Sequence, residues 1–325
     1  MGEEITSYEI PLRLPIIDFS HKDLKRGTHE WDSVKVEVRK ALEEFGCFEA
    51  LIDKFPLELR EELHGALNEA FDLPLETKML NVSEKPYHGY LGVHPERSPL
   101  YESFGIDEAN VVENVQGLSN ILWPQGSATF SKLIQYISEQ QLGLERMVRL
   151  MILESLGIEE YMEEHMDSNY YLLKLMKYAG PQSTEAKLGL YGHTDKNMMT
   201  ILYQNNDVNG LEVRTKNGEW ILVKPSPNTF TVMIGDSLYA WLNGRLHSPF
   251  HRVMMKGNKA RYTTALFSIL KAGYTVKAPK ELVDEQHPLL FKPFTFDEFM
   301  KFLHTEAGET SDCALRAFCG VKNIT

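Results

Sequence analysis

Apolar residues recur with a helical period in three parts of the chain, and shorter apolar runs lie between them. The spacing predicts helices over 28–45, 56–71 and 127–156. Gly46 and Gly157 are placed to end the first and the last of these helices. The short apolar runs 14–19 and 47–52 predict strands. The first half of the chain therefore begins as an alternation of strands and helices.

From residue 170 onward, the pattern changes to short extended runs separated by turn residues. Asn217-Gly218 lies between two of these runs and favours a tight hairpin, because both central residues of such a turn need positive φ. A last helical pattern covers 294–304. Many short strands at regular spacing indicate an all-β sandwich or barrel. The predicted strands are 172–178, 198–204, 211–215, 219–223, 230–234, 239–242 and 261–270.

The segment 81–125 carries scattered Gly, Pro and aromatic residues with little periodicity. An irregular stretch of this length in a compact enzyme is typical of a binding cleft. An ordinary surface connection is the alternative that the sequence leaves open. We therefore take Tyr87, His88 and Tyr90 as candidate substrate contacts.

We divide the chain at residue 125. Residues 1–125 form an N-terminal α/β region that packs on the core and contributes to the cleft. Residues 126–325 hold the long helix, the strand-rich catalytic core and a C-terminal helix. Because a chain of 325 residues can bury one sizeable core, we expect both parts to belong to one compact structural unit.

The composition is that of an ordinary globular protein, with 43% hydrophobic and 25% charged residues. The formal net charge of -12 argues against a nucleic-acid partner, since phosphate binding needs clustered Lys and Arg. Cys47, Cys313 and Cys319 show no paired spacing, which favours a reducing compartment. The N-terminal residues lack a signal-peptide pattern, and no apolar run is long enough to span a bilayer. We expect a cytosolic monomer that binds a small molecule and neither nucleic acid nor membrane.

His193, Asp195 and His251 are candidate metal ligands. On a strand, residues two apart point to one face, so His193 and Asp195 can converge on one point. His251 lies near the start of another extended segment and can supply a third ligand from a neighbouring strand. Two histidines and one carboxylate on one side of a metal are typical of non-haem Fe(II) oxygenases. The alternative is a hydrogen-bonded pair at the end of a strand. His247 is a nearby histidine that we place in a loop.

Arg261 and Thr263 follow ten and twelve residues after His251. A guanidinium and a hydroxyl two apart on a strand share a face and can hold a carboxylate between them. A structural ion pair is the commoner use of a single arginine. The spacing from His251 favours a site for a dicarboxylate with one end on Arg261 and the other on the metal.

The chain resembles the plant soluble Fe(II)- and 2-oxoglutarate-dependent dioxygenases in the order His193-x-Asp195, His251-Arg252-Val253, Arg261-x-Thr263. The likeness extends over nearly the whole chain. Further motifs that carry it are Leu14-Pro15-Ile16-Ile17-Asp18, Phe45-Gly46-Cys47-Phe48, Leu73-Pro74-x-Glu76-x-Lys78, Gly235-Asp236 and Asn243-Gly244. Three motifs bring it nearest to the subgroup that includes the glucosinolate side-chain dioxygenases: Leu122-Trp123-Pro124, Val223-Lys224-Pro225 and Glu306-Ala307-Gly308.

The resemblance implies a mainly β fold with flanking α-helices around a double-stranded β-helix, or jelly roll. It implies that the two histidines and Asp195 bind Fe(II), and that Arg261, Thr263 and Tyr178 bind 2-oxoglutarate. The family more usually has Ser at Thr263, and Asn-Tyr-Tyr-Pro where this chain has Met176-Lys177-Tyr178-Ala179. Phe267 matches a family position that stacks on aromatic substrates, with simple core packing as the alternative.

The activity implied by the resemblance is oxidation of a small plant specialised metabolite by hydroxylation, desaturation or oxidative dealkylation. O2 and 2-oxoglutarate would be co-substrates, succinate and CO2 co-products, and ascorbate a supporting reductant. Asp195 argues against a halogenase, which has a small residue in place of the carboxylate. Three alternatives stay open: a hormone-oxidising member that acts on a gibberellin or auxin, an ethylene-forming type without 2-oxoglutarate, and an inert ligand-binding jelly roll.

Overall fold

Two β-sheets lie face to face in the computed structural model, which describes residues 12–53, 55–224 and 226–321. The strands are β1 (Ile16–Asp18), β2 (Cys47–Leu51), β3 (Tyr101–Asp107), β4 (Asn169–Tyr178), β5 (Ser183–His193), β6 (Met199–Gln204), β7 (Leu211–Arg214), β8 (Trp220–Leu222), β9 (Thr229–Ile234), β10 (Phe250–Gly257), β11 (Arg261–Leu270), β12 (Thr275–Val276) and β13 (Phe294–Thr295). The larger sheet has the order β1-β2-β9-β6-β11-β4-β3, and the smaller one β5-β10-β7-β8. This architecture confirms the predicted jelly-roll core.

Helices flank the larger sheet. They are α1 (His29–Glu44), α2 (Leu57–Asp72), α3 (Leu75–Lys78), α4 (Val112–Leu122), α5 (Ala128–Leu156), α6 (Met162–Asp167), α7 (Asp236–Trp241), α8 (Phe296–Phe302), α9 (Glu306–Glu309) and α10 (Ala314–Cys319). The long helix α5 begins where the Ser127 side chain accepts a hydrogen bond from the Phe130 amide, and ends at Gly157 with φ of 69°. Its apolar side packs on the sheet through residues such as Ile134 and Val148.

The two faces of the larger sheet belong to different cores. We call the side covered by helices the outer face and the side toward the smaller sheet the inner face. Along β11, Tyr262 and Leu266 pack among the helices, whereas Ala265 and Phe267 pack against the smaller sheet. Because side chains alternate along a strand, Arg261 shares the inner face with Ala265 and Phe267. The inner face is therefore where the candidate site residues of β11 meet.

Most predicted elements match the structure to within a few residues, but 239–242 does not. This apolar run was predicted as a strand and is the end of α7, whose residues Leu238, Ala240 and Trp241 are all buried. A run of four apolar residues has no period long enough to separate a buried helix from a buried strand. The prediction for this segment was wrong.

The segment 81–125 also has more structure than its pattern predicted, since it contains both β3 and α4. The hairpin between β7 and β8 exists, but only Gly218 has positive φ, at 90°. The Thr215 amide bonds to the Glu219 carbonyl, so three residues rather than two form the loop. Strand β5 was not predicted, because many of its side chains are exposed and its apolar signal is weak.

Two sequence observations concern residues outside those described, namely the N-terminal pattern of residues 1–11 and Pro225 of the Val223-Lys224-Pro225 motif. Within the described ranges, no helix combines the length and apolar character that crossing a membrane requires.

Candidate metal centre and co-substrate site

His193 and His251 lie opposite each other on neighbouring strands of the smaller sheet. His193 is the last residue of β5, His251 is the second residue of β10, and the two are paired in register. Directly opposed residues of an antiparallel pair have adjacent side chains, and the ring centroids are 4.3 Å apart. The structure thus brings together the two histidines that the sequence separates by 58 positions (251 minus 193).

Asp195 joins the two histidines from the turn after β5, not from the strand itself. Its Oδ1 lies 3.7 Å from His193 Nε2 and 3.9 Å from His251 Nε2. These three residues form a group whose ligand atoms all lie within 4.8 Å of one another. The convergence was expected, but the reason given for it was wrong, because the shared strand face ends at His193.

Hydrogen bonds orient each ligand toward the common centre. His193 Nδ1 donates to the Tyr191 carbonyl at 2.8 Å, which leaves Nε2 as the free lone pair. His251 Nδ1 faces the Pro249 carbonyl at 3.3 Å in the same way. The Thr200 hydroxyl donates to Asp195 Oδ2 at 2.6 Å, so Oδ1 remains for a metal. The sequence analysis missed Thr200, although its place five residues after Asp195 on a predicted strand was a usable signal.

The protonation states also suit a metal. Burial and the neighbouring His251 lower the pKa of His193 to about 4, so that its imidazole is neutral at pH 7. Burial alone would oppose ionisation of Asp195, but His251, His193 and the Thr200 hydroxyl lower its pKa overall. A neutral imidazole at His193 and an ionised carboxylate at Asp195 are the forms that bind a divalent cation.

The carboxylate of Asp236 connects the segments that carry the ligands. It accepts hydrogen bonds from the Thr194 hydroxyl at 2.8 Å, the Lys196 ammonium at 2.7 Å and the Ser248 hydroxyl at 2.7 Å. Thr194 and Lys196 flank the ligand aspartate, and Ser248 lies three residues before the second histidine. One buried carboxylate at the start of α7 therefore holds both ligand-bearing segments in place.

Arg261 carries the second half of the site. Its side chain is 1% exposed, and its Nε donates to Gln204 Oε1 at 2.9 Å. Its two terminal nitrogens have no hydrogen-bond partner among the described residues. Burial lowers the pKa of Arg261 to about 10, so the guanidinium remains charged at pH 7. A buried cation with two unused donors is costly unless a ligand carboxylate completes it.

Thr263 and Tyr178 surround the same place. The Thr263 hydroxyl is buried and, within the described ranges, has no hydrogen-bond partner. Tyr178 lies opposite Arg261 on β4, with the guanidinium 5.3 Å from its ring centroid. Burial raises the pKa of Tyr178 to about 12, so its hydroxyl is a donor at neutral pH. These groups fit one carboxylate end of 2-oxoglutarate, and the triad fits Fe(II).

The predicted substrate contacts are placed differently from one another. Phe267 is half-buried on the inner face of β11, opposite Thr200 of β6, which brings it level with the residue that holds Asp195. Tyr87 is 45% exposed and lies beside the ring of His304. Both positions allow contact with a bound molecule, and their substrate roles stay predictions.

His88 and Tyr90 have other partners. His88 is buried, with Nδ1 2.5 Å from Asp107 Oδ1. The Tyr90 hydroxyl donates to Glu102 Oε2 at 2.8 Å, and its ring packs on Phe104 of the outer-face core. The larger sheet therefore separates Tyr90 from the triad, because its neighbours face the helices. The substrate roles predicted for His88 and Tyr90 stay predictions.

Lys174 is an inner-face residue that the sequence analysis missed. It lies on β4, four residues before Tyr178 and on the same side of the strand. The alternation with Met176 and Tyr178 was a signal for it, because a lysine among residues that face a core is unusual.

The fold and these groups define a class of protein. A jelly roll with two histidines and one carboxylate converging on one point belongs to non-haem Fe(II) chemistry. The buried Arg261, whose two terminal nitrogens have no partner among the described residues, indicates that a co-substrate with a carboxylate binds there.

Comparison with known proteins gives the same answer. Family models described as the 2OG-Fe(II) oxygenase superfamily and as the N-terminal part of the non-haem dioxygenase in morphine synthesis match residues 162–269 and 14–112. The probable 2-oxoglutarate-dependent dioxygenase AOP1.2 of Arabidopsis thaliana is 51% identical over 98% of this chain and 99% of its own. The 2-oxoglutarate-dependent dioxygenase AOP3 of the same plant is 37% identical over 95% of this chain and 98% of its own. The solved dioxygenase for auxin oxidation from rice has a TM-score of 0.79 at 29% identity, covering 94% of this chain and 100% of that chain.

The chain belongs to the 2OG-Fe(II) oxygenase superfamily and is a 2-oxoglutarate-dependent dioxygenase that uses Fe(II). The family resemblance and the cofactors predicted from the sequence are thereby confirmed.

Proposed function

We propose that the enzyme oxidises a small plant specialised metabolite by hydroxylation, desaturation or oxidative dealkylation. Its metal ligands are His193, Asp195 and His251. Arg261, Thr263 and Tyr178 hold the distal carboxylate of 2-oxoglutarate. The observation that carries the proposal is that the triad and the two unpartnered donors of Arg261 belong to one interior. The similarity to the dioxygenases of Arabidopsis supports the substrate class.

When bound, Fe(II) and 2-oxoglutarate supply the activation of O2, which couples loss of CO2 from the co-substrate to oxidation of a substrate C–H bond. The chain's own residues do the positioning. His193, Asp195 and His251 would hold the metal, which would supply the site at which O2 is activated. Arg261 fixes the far end of the co-substrate by a charge-assisted pair of hydrogen bonds. Because the nearest C–H bond is the one that reacts, the side chains around the opening decide the product.

The test is 2-oxoglutarate-dependent succinate formation by purified protein with Fe(II) and ascorbate, measured against a metabolite panel. Products are followed by mass for the gain of one oxygen or the loss of a methylene. We expect His193→Ala to abolish both succinate formation and Fe(II) binding, because it removes one of three ligands. The exposed His21→Ala variant is the control and should keep both. The proposal fails if no panel member supports succinate formation and His193→Ala still binds iron.

A second candidate substrate class is a plant hormone such as an auxin. The observation in its favour is the structural similarity to the rice dioxygenase for auxin oxidation. Identity is higher to the Arabidopsis dioxygenases, at 51% over nearly the whole chain, so we rank the hormone second. Indole-3-acetate and a gibberellin belong in the same panel, and turnover of either in preference to the other metabolites would reverse the ranking.

The same proposal includes the domain organisation, the cellular location and the oligomeric state. We propose that 1–125 and 126–325 act as one structural unit, a view supported by the addition of β1, β2 and β3 to the sheet that contains β4, β6, β9 and β11. We propose a cytosolic location, which the free cysteines Cys47, Cys313 and Cys319 support. We also propose that the enzyme acts as a monomer, which sedimentation at working concentration tests.

A further inference from the structure

Lys174 differs from every other lysine of low exposure among the described residues. Four of the five buried or half-buried lysines have a carboxylate oxygen within 4.0 Å: Lys35 with Asp32, Lys78 with Glu102, Lys177 with Asp72 and Lys196 with Asp236. The fifth is Lys174, which has no salt bridge and no side-chain hydrogen bond to any part of the chain that the structure describes. A shielded ammonium costs free energy unless an anion pairs with it.

The neighbours of Lys174 across the sheet have little or no side chain. Gly105 of β3 lies opposite it on one side and Ala265 of β11 on the other. Neither has a side chain that reaches beyond Cβ. The backbone of His88 lies against Gly105, so close that a Cβ there would come within 1.9 Å of the His88 carbonyl oxygen. We call the surroundings of this ammonium the bay: the short Ala265 side chain lies on one side of it, and Gly105 with the His88 backbone lies on the other.

The aromatic ring of Tyr87 lies at the solvent-exposed edge of this bay. The ring centroid of Tyr87 is 5.9 Å from Lys174 Nζ, and the Tyr87 ring stacks against His304 at 6.4 Å. Tyr87 has φ of 68°, a conformation that a bulky residue adopts only at a cost. This backbone conformation places the Tyr87 ring beside the ammonium.

The position of Lys174 relates it to the reacting centre. Its level on the sheet, set by Ala265, lies between the level of Arg261 and the level of Phe267. Burial lowers the pKa of Lys174 to about 8, and the nearby charge of Asp195 opposes that shift. At pH 7 the ammonium form still dominates. The cation therefore lies on the inner face between the levels of Arg261 and Phe267, and within the described residues it forms no salt bridge with Asp195.

We propose that Lys174 is a specificity-determining residue that binds an anionic group of the substrate, a carboxylate, sulfate or sulfonate, in the bay beside the metal. This inference rests on the proposed function, since it names the chemical class of molecule that the oxidising centre receives. The substrate then has an anion close to the carbon that is oxidised and an apolar part against Tyr87. Contact with 2-oxoglutarate instead is an outcome that the test distinguishes.

The experiment is calorimetric titration of protein loaded with Fe(II) and 2-oxoglutarate in the absence of O2. The probes are hexane-1-sulfonate, hexanoate and hexan-1-ol, which share an apolar chain and differ in charge. We expect wild type to bind the two anions about tenfold more tightly than the alcohol, as a desolvated charge pair requires. Lys174→Met should lose about tenfold in affinity for the anions and less than about twofold for the alcohol.

Lys174→Arg and Lys177→Met complete the design. Lys174→Arg keeps the charge and should retain anion binding within about threefold. Lys177→Met changes a lysine on the same strand that faces the helices and should leave all three probes unaffected. Thermal unfolding of each variant checks that it is folded.

The proposal is overturned if Lys174→Met binds the sulfonate as tightly as wild type, or if wild type binds anion and alcohol equally. It is also overturned if Lys174→Met lowers affinity for 2-oxoglutarate by about tenfold, because the lysine would then serve the co-substrate. Absence of succinate formation by wild type would defeat the proposed function only, since these titrations measure binding without turnover.

Discussion

Two arginines are each 1% exposed, one on each face of the larger sheet, and they are matched in opposite ways. Arg149 of α5, on the outer face, donates to the carboxylate of Glu145 and to the Ser268 hydroxyl. Arg261, on the inner face, uses one nitrogen on Gln204 and leaves the other two without a partner within the described chain. The outer charge is completed by the protein itself. We propose that a ligand carboxylate completes the inner charge.

The same difference recurs along a single strand. Lys177 of β4 faces the helices and pairs with Asp72 and Glu102. Lys174 lies three residues earlier and on the other side of the strand. Among the described residues it has no carboxylate partner and no side-chain hydrogen bond. A poorly exposed charge that the described part of the chain does not neutralise is therefore our proposed marker of ligand binding, whereas a neutralised one supports the structure.

The largest expected effect comes from breaking the outer pair. Arg149→Met leaves the Glu145 carboxylate, which is 0% exposed, without its cation. We expect the free energy of unfolding to fall by about 3–5 kcal/mol, the usual cost of an uncompensated buried charge. Urea unfolding measures it. The double variant Glu145→Leu, Arg149→Met should recover much of the loss, and no recovery would mean that the pair contributes more than mutual neutralisation.

Changing the inner arginine should have the reverse profile. Arg261→Gln removes both unused donors, so we expect affinity for 2-oxoglutarate to fall about 100-fold, or about 2.7 kcal/mol. The free energy of unfolding should change by less than about 1 kcal/mol, because no described carboxylate loses a partner. Titration of the co-substrate and urea unfolding are the two measurements. A variant that binds 2-oxoglutarate normally but unfolds easily would remove the contrast between the two arginines.

Acid should produce a smaller effect that both faces share. Burial lowers the pKa of His193 to about 4 on the inner side, and burial with Arg149 lowers the pKa of His165 on the outer side. Between about pH 6.5 and 4 these histidines bind protons more readily in the unfolded chain than in the folded one. The free energy of unfolding therefore falls as pH falls through that window. For His193 we expect a loss of roughly 1–2 kcal/mol by pH 5 in the metal-free protein, and His165 should add to it in the same direction.

Urea unfolding between pH 7.5 and 5 measures this loss. His193→Gln should remove the inner share of the fall and leave the outer share. A free energy of unfolding that stays constant over this range would contradict the assignment of neutral buried imidazoles.

Much of this arrangement was predictable from sequence, because local periodicity and spacing carry it. The alternation along 261–270 correctly placed Arg261, Thr263 and Phe267 on one face. The order of the ligands predicted the triad. What the pattern did not supply was the turn that brings Asp195 to the histidines, since that turn depends on Asp236, 41 residues later (236 minus 195).

The pairing of charges was equally invisible in the sequence. Lys174 and Lys177 lie three residues apart, on opposite faces of β4. Only the three-dimensional positions of Asp72 and Glu102 show that Lys177 is the lysine whose charge is neutralised. The mistaken strand at 239–242 has a different cause. Its apolar residues satisfy both a helix and a strand, and the burial of Trp241 beside His165 decides in favour of the helix only in the folded molecule.

The register between β5 and β10 decides whether the two histidines can bind iron together. His193 and His251 are exact partners across the two strands. A slip of one residue would turn one imidazole to the opposite side of its sheet, because side chains alternate with a period of two. A misregistered molecule would therefore be unable to take up iron with full affinity. Binding of Fe(II) with full affinity therefore requires β5 and β10 to be paired in this register.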